Sequence, residues 1–124
     1  MTEIIYKDEC YKIIGICMDV HNNLGSGFLE IVYKDALEYE FSEAKIPFER
    51  EKEYTVNYKG TILPHRFYAD FVLFNKIILE VKAVVSLENA FIAQVINYLK
   101  VSQNRLGLIV NFGKLDLNYK RIVK

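Results

Sequence analysis

The segment Ile77-Ile78-Leu79-Glu80-Val81-Lys82-Ala83-Val84 restricts what this chain can become more than any other. Its apolar, β-branched make-up predicts a strand over Ile77–Val84, apolar enough to lie centrally in a sheet with a layer on each face. Strand residues i and i+2 share a face, so Glu80 and Lys82 project together. Two charges on a buried strand are costly unless they are paired. A structural ion pair at a strand end would satisfy that demand without any chemistry.

The rest of the chain supplies the layers. Residues 7–24 carry Cys10, Ile13, Ile14, Cys17 and Met18 at helical spacing, with Val20 and Leu24 less strictly placed. Gly25-Ser26-Gly27 ends that helix. A second helix is predicted from Phe28 to Ala44, with Leu29, Val32, Tyr33, Ala36, Leu37 and Phe41 on one side, and Pro47 closes it. Tyr54, Val56 and Tyr58 then alternate with polar residues, which predicts a strand, and Lys59-Gly60 is a turn. Ile62 to Phe74 reads as a second strand with an irregularity at Pro64. Residues 88–102 return to helical spacing through Phe91, Val95, Tyr98 and Leu99. Leu106 to Phe112 is a short apolar strand, and Tyr119 to Val123 another. The order ααβββαβ(β) implies one α/β domain over residues 1–124, a small mixed sheet flanked by helices. No repeat or linker divides it, and 124 residues suffice for a real core.

Charge narrows the function classes. Sixteen Lys and Arg balance 16 Asp and Glu, which excludes a protein that coats nucleic acid through bulk charge. The distribution is uneven: residues 1–53 hold 12 acids and 6 bases, residues 54–124 hold 4 acids and 10 bases. A basic face for phosphate can come from the second half, with Lys100, Arg105, Lys114, Lys120 and Arg121 as candidates. Cys10 and Cys17, if on one helix, are separated by roughly 10.5 Å of rise, beyond the reach of about 7 Å that a disulfide allows. With Glu3, Lys7, Asp8 and Glu9 breaking up the start and no membrane-length apolar run, a reduced cytoplasmic protein without membrane contact is expected. Cys17 and His21 share a helix face but make only two of the three or four ligands zinc needs. His21 is expected as a buried hydrogen-bonding residue near the glycine turn.

Asp70 changes the weight of the Glu80-Lys82 pair. It is a lone charge in the apolar run Tyr68-Ala69-Asp70-Phe71-Val72-Leu73. A hairpin with a three-residue loop at Phe74-Asn75-Lys76 puts Asp70 directly opposite Glu80, about 5 Å away between Cβ atoms. A two-residue loop would put it opposite Val81, on the wrong face. Adjacent carboxylates repel, and a divalent cation relieves the repulsion. Carboxylates with water and a backbone carbonyl suit Mg²⁺ or Mn²⁺. A lysine beside such an ion can hold a water and help neutralise a phosphate under attack.

Asp70, nine intervening residues and Glu80-Val81-Lys82 resemble the D…(D/E)xK core of the PD-(D/E)XK nuclease superfamily. Gly27-Phe28-Leu29-Glu30-Ile31-Val32-Tyr33 matches the GxxExxY signature of a small prokaryotic family placed there. Gln94-Val95-Ile96-Asn97-Tyr98 matches the QxxxY element of its exonuclease-like branch. The resemblance runs from about His21 to Phe112. It implies a restriction-endonuclease-like core and a metal-dependent nuclease. Asp70, Glu80 and the Val81 carbonyl would hold Mg²⁺ or Mn²⁺, and Lys82 would position or activate the water. Glu30 would reach towards the ion from the second helix. Gln94 would hydrogen-bond nearby, with Tyr98 one turn on. The substrate would be nucleic acid, DNA in preference to RNA. Two departures stand out: Tyr68 where an arginine is usual, and Phe91 where a histidine is usual. Each removes a cation near the phosphate site, and neither touches a metal ligand. The alternative is a weak or inactive module of the same fold, binding nucleic acid or a protein partner in a defence or mobile-element system. A homodimer or a protein partner would be a route to a larger basic face.

Overall fold

The computed structural model describes residues 4–124, so Glu3 lies outside the described residues. Two helices come first, α1 (Lys7–Leu24) and α2 (Glu30–Glu43). Strand β1 (Phe48–Tyr54) is followed by a minimal hairpin of β2 (Asn57–Tyr58) and β3 (Thr61–Ile62). Then come β4 (Phe67–Leu73), β5 (Ile77–Lys82), α3 (Asn89–Ser102), β6 (Leu106–Asn111) and β7 (Asn118–Val123).

Five strands form one sheet in the order β1-β4-β5-β6-β7, and β2-β3 pair apart from it. β5 and β6 run parallel, as strands joined through a helix can. The other neighbours are antiparallel. β5 is thus the central strand. α1 and α2 cover one face, where Ile13, Cys17, Tyr33, Leu37 and Phe41 pack on Phe71, Leu79, Val81, Leu108 and Phe112. α3 covers the other, where Val95, Tyr98 and Leu99 meet Val72, Ile78, Ile109 and Ile122. Gly107 on β6 lets α3 approach closely: a Cβ there would run into Val95.

The glycine turn between α1 and α2 has a specific job. Gly25 and Gly27 take φ of 73° and 109°, conformations that cost a side chain dearly. The Tyr33 hydroxyl donates to the Gly25 carbonyl at 2.6 Å and accepts from the Phe28 N–H at 3.3 Å. Its fully buried ring stacks on Phe112 at 4.5 Å. This tyrosine locks the rotation of α2 against the sheet.

Several expectations need correction. The first sheet strand lies at Phe48–Tyr54, not over 54–58. Glu49 to Glu53 are all charged, and this is an edge strand, where charge discourages pairing with foreign strands. The second predicted strand breaks at Pro64, so that 61–62 belong to the small hairpin and 67–73 to the sheet. The second helix starts at Glu30 rather than Phe28, so Gly27, Phe28 and Leu29 of the GxxExxY segment precede it. Met18 and Leu29 are 45% and 75% exposed rather than core. Cys10 and Cys17 are free and buried, and burial pushes the Cys17 thiol up to about 12. His21 is buried, with Nε2 2.8 Å from the Lys114 carbonyl oxygen. No helix among the described residues is long and apolar enough to cross a membrane.

Candidate active site

The β4–β5 turn is the three-residue loop Phe74-Asn75-Lys76, with Phe74 and Asn75 left-handed at φ of 54° and 60°. The pairing Leu73↔Ile77, Val72↔Ile78, Phe71↔Leu79 therefore puts Asp70 opposite Glu80. At this point side chains replace the regular ladder. The Asp70 N–H donates to Glu80 Oε2 at 2.7 Å, and the Val81 N–H donates to Asp70 Oδ2 at 2.8 Å. Each carboxylate takes the place a facing carbonyl would occupy. The two acids are thus held between the strands rather than standing on a surface.

A third acid lies in the same row. β1 pairs with β4 at Arg50↔Phe71 and Lys52↔Ala69, and skips Glu51, which falls opposite Asp70 with φ of 54°. Glu51, Asp70 and Glu80 are therefore aligned across three neighbouring strands. From α2, Lys34 Nζ sits 2.7 Å from Glu51 Oε1 and 3.0 Å from Asp70 Oδ1. Burial works against this ammonium, but Glu51 and Asp70 outweigh it and hold Lys34 above the usual lysine range.

The Glu80 side is the dry side. Glu80 is 2% exposed. Burial, and then the charge of Asp70, push its carboxyl up to about 8. Lys82 leaves the same strand towards α3, where its Nζ lies 4.7 Å from the centre of the Phe91 ring and 3.3 Å from Gln94 Oε1. Gln94 Nε2 in turn donates to the Tyr98 hydroxyl at 3.0 Å. The Tyr98 ring stacks on Phe67 at 4.5 Å, and Phe67 on Tyr54 at 5.6 Å. Burial, with the charges of Glu80 and Asp70, pushes the Tyr98 phenol up to about 12. The end of β5 is clamped by the buried Asn111, whose amide donates to the Val84 carbonyl and whose oxygen accepts from the N–H groups of Val84 and Gly113.

Asp70 and Glu80 fit a divalent ion on chemical grounds. They are hard oxygen donors, they face each other, and Lys34 compensates the pair only from the Asp70 side, leaving the buried Glu80 carboxyl without an ion-pair partner among the described residues. Among the described residues no three His, Cys, Asp or Glu side chains form a group that could hold an ion. The set therefore suits an ion that keeps waters and takes a backbone carbonyl such as that of Val81.

Other predicted residues scatter. Glu30 opens α2 one turn before Lys34, on the same face. Among the described residues no side-chain hydrogen bond or ion pair ties it to Asp70 or Glu80. Lys100 lines a groove of about 740 Å³ with Phe67, Gln94, Asn97 and Tyr98, and Gln94 connects it to Lys82. Lys114 and Lys120 line a separate hollow of about 310 Å³ with Asn111. Arg105 is exposed just before β6, at the opposite end of that strand from Asn111. Arg121 donates to the Ile5 carbonyl at 2.7 Å and lines the hollow beside α1, the other face of the sheet. The five bases do not form one patch.

A model of the PD-(D/E)XK nuclease superfamily matches residues 7–122. The chain belongs to that superfamily. Its mixed five-stranded sheet flanked by helices is a PD-(D/E)XK, restriction-endonuclease-like fold. A solved structure titled "Crystal structure of SSO0001" is similar, with a TM-score of 0.64 at 20% identity over 96% of this chain. This chain spans 60% of that one's length, and the likeness speaks to fold alone. A search of the curated proteins finds no match.

Lys34, Glu51 and Asn111 are missing from the sequence reading of this PD-(D/E)XK site. Lys34 carried one legible signal, its place one turn after Glu30. Glu51 carried none, being one charge among five.

Proposed function

We propose that this PD-(D/E)XK protein is a metal-dependent phosphodiesterase that hydrolyses nucleic acid, within the GxxExxY branch of its superfamily. The observation that carries the reading is the interlocked Asp70–Glu80 pair, two carboxylates buried face to face in the gap between β4 and β5. Asp70, Glu80 and the Val81 carbonyl would hold Mg²⁺ or Mn²⁺, which when bound stabilises the negative charge that builds up on the phosphate. Lys82 orients the attacking water in line with the scissile bond, and its ammonium offsets charge on the phosphorane. Gln94, braced by Tyr98, sets the direction of Lys82. Phe91 beneath the ammonium limits where else it can go. Lys100, on the groove beside Gln94, is the base best placed for the phosphate backbone. DNA is the expected substrate in preference to RNA.

The test is cleavage of labelled single- and double-stranded DNA and RNA with Mg²⁺, with Mn²⁺ and with chelator. Asp70→Asn and Lys82→Ala are run alongside. Metal-dependent cleavage lost in both variants is expected. Absence of cleavage under every metal, with variants indistinguishable from the parent, would favour a binding module of the same fold. The replacement of cations by Tyr68 and Phe91 is the observation on that side.

A further inference from the structure

The row Glu51–Asp70–Glu80 holds three acids, and one gap in it is already filled. Lys34 Nζ lies between Asp70 Oδ1 and Glu51 Oε1, at 3.0 and 2.7 Å. That is the place a bridging cation would take between two aligned carboxylates. We propose that the Lys34 ammonium is a built-in cation that makes this a one-ion site, leaving the Asp70–Glu80 gap alone for a divalent ion. The inference rests on the metal-dependent reading above and adds how many ions the site takes.

Three features separate Lys34 from an ordinary surface lysine. Its side chain is only 12% exposed. The preceding residue, Tyr33, is fully buried and hydrogen-bonded to the glycine turn, so the face of α2 that carries Lys34 cannot rotate away. Both of its partners belong to the carboxylate row, and among the described residues Asp70 has no other ion-pair partner. Glu51 is 48% exposed, so an ion could reach this gap from solvent if the lysine were not there. A divalent ion between Glu51 and Asp70 would have to evict the ammonium, stripping it of both partners while adding two positive charges beside it. A second ion is thus excluded by charge rather than by lack of oxygen donors. Lys34 is a positioning residue in this scheme, since it also fixes the Asp70 oxygen that does not bond to Val81.

The test counts ions without reference to activity. Mn²⁺ is titrated into the full chain at pH 8 and followed by the electron paramagnetic resonance of free Mn²⁺. The parent, Lys34→Met, Lys34→Arg, Glu51→Gln and Asp70→Asn are compared, with circular dichroism melts on each. One Mn²⁺ per chain is expected for the parent and for Lys34→Arg, and two for Lys34→Met. Glu51→Gln should keep the single ion, because Glu51 does not hold it. Two ions in the parent, or loss of an ion in Glu51→Gln, overturns the proposal even if Lys34→Met fails to fold. A folded Lys34→Met that still takes one ion overturns it as well. Absence of any Asp70-dependent Mn²⁺ binding in the parent removes the metal-dependent reading itself, and the proposal with it.

Discussion

Exchanging Glu80 for Gln isolates the cost of ionising a buried carboxyl. Glu80 is 2% exposed, and its carboxyl is raised from 4.5 to about 8 by burial and by the charge of Asp70. The sign follows from linkage. Between these two values the unfolded chain has released the proton and the folded chain still holds it, so the folded state binds more protons. Stability contributed by Glu80 is therefore full below about pH 4.5, falls as pH rises, and is gone above about pH 8. At roughly 1.4 kcal/mol for each tenfold change, the ceiling is about 5 kcal/mol. Relaxation of the surroundings and water penetration around the ionised carboxylate lower it to a few kcal/mol. Gln keeps the shape, accepts the Asp70 N–H as Glu80 Oε2 does, and offers its amide to the Asp70 carboxylate, but it does not ionise. In the presence of chelator, Glu80→Gln should melt about 10 °C above the parent at pH 8.5. The gap should close by pH 5. Circular dichroism melts at half-unit steps from pH 5 to 9 read this directly. A melting difference independent of pH, or a parent more stable than the variant at pH 8.5, would refute the reasoning. Mn²⁺ should raise the parent's melting temperature more at pH 8 than at pH 6, and leave Glu80→Gln nearly unmoved.

Further outcomes follow from the packing. Gly113→Ala should cost more stability than Gly107→Ala, about 3 kcal/mol against about 1, in urea unfolding. The new methyl at 113 meets the backbone of both Ala83 and Val84, while that at 107 meets a single methyl of the Val95 side chain. Tyr33→Phe should cost about 1–2 kcal/mol through the orphaned Gly25 carbonyl and Phe28 N–H, read by the same assay. Gln94→Leu should lower turnover about 10- to 100-fold by freeing Lys82 while leaving the Mn²⁺ count unchanged; loss of the ion instead would place Gln94 among the donors.

Much of the site could be read before the structure because it is local in β pairing. Parity on a strand puts Glu80 and Lys82 together, and an odd turn at Phe74-Asn75-Lys76 puts Asp70 opposite Glu80. Helix periodicity similarly joins Gln94 to Tyr98, four residues on. The contact between Lys82 and Gln94 is longer in range, and the motif resemblance placed Gln94 near the site without naming Lys82 as its partner. What escaped was carried by position in the fold. β1 was hidden because an edge strand is free to be charged, and periodicity looks for a buried face. Glu51 reaches the site because the β1–β4 register sets it opposite Asp70, which a run of five charges does not betray. Lys34 reads as a solvated helix residue until α2 is docked on the sheet.

By itself, then, the amino-acid order determined the three helices, the central strand and the shared face of Glu80 and Lys82, and made the facing of Asp70 on Glu80 depend on an odd turn, which the structure supplies. These rest on hydrophobic period and turn length, which act over a few residues. Only the tertiary structure decided that the row has a third acid, that a lysine already fills one of its gaps, and that the basic residues of the second half do not form one patch. Those facts depend on which distant segments desolvate each other, and a charge is paired or exposed according to neighbours that chain order does not name.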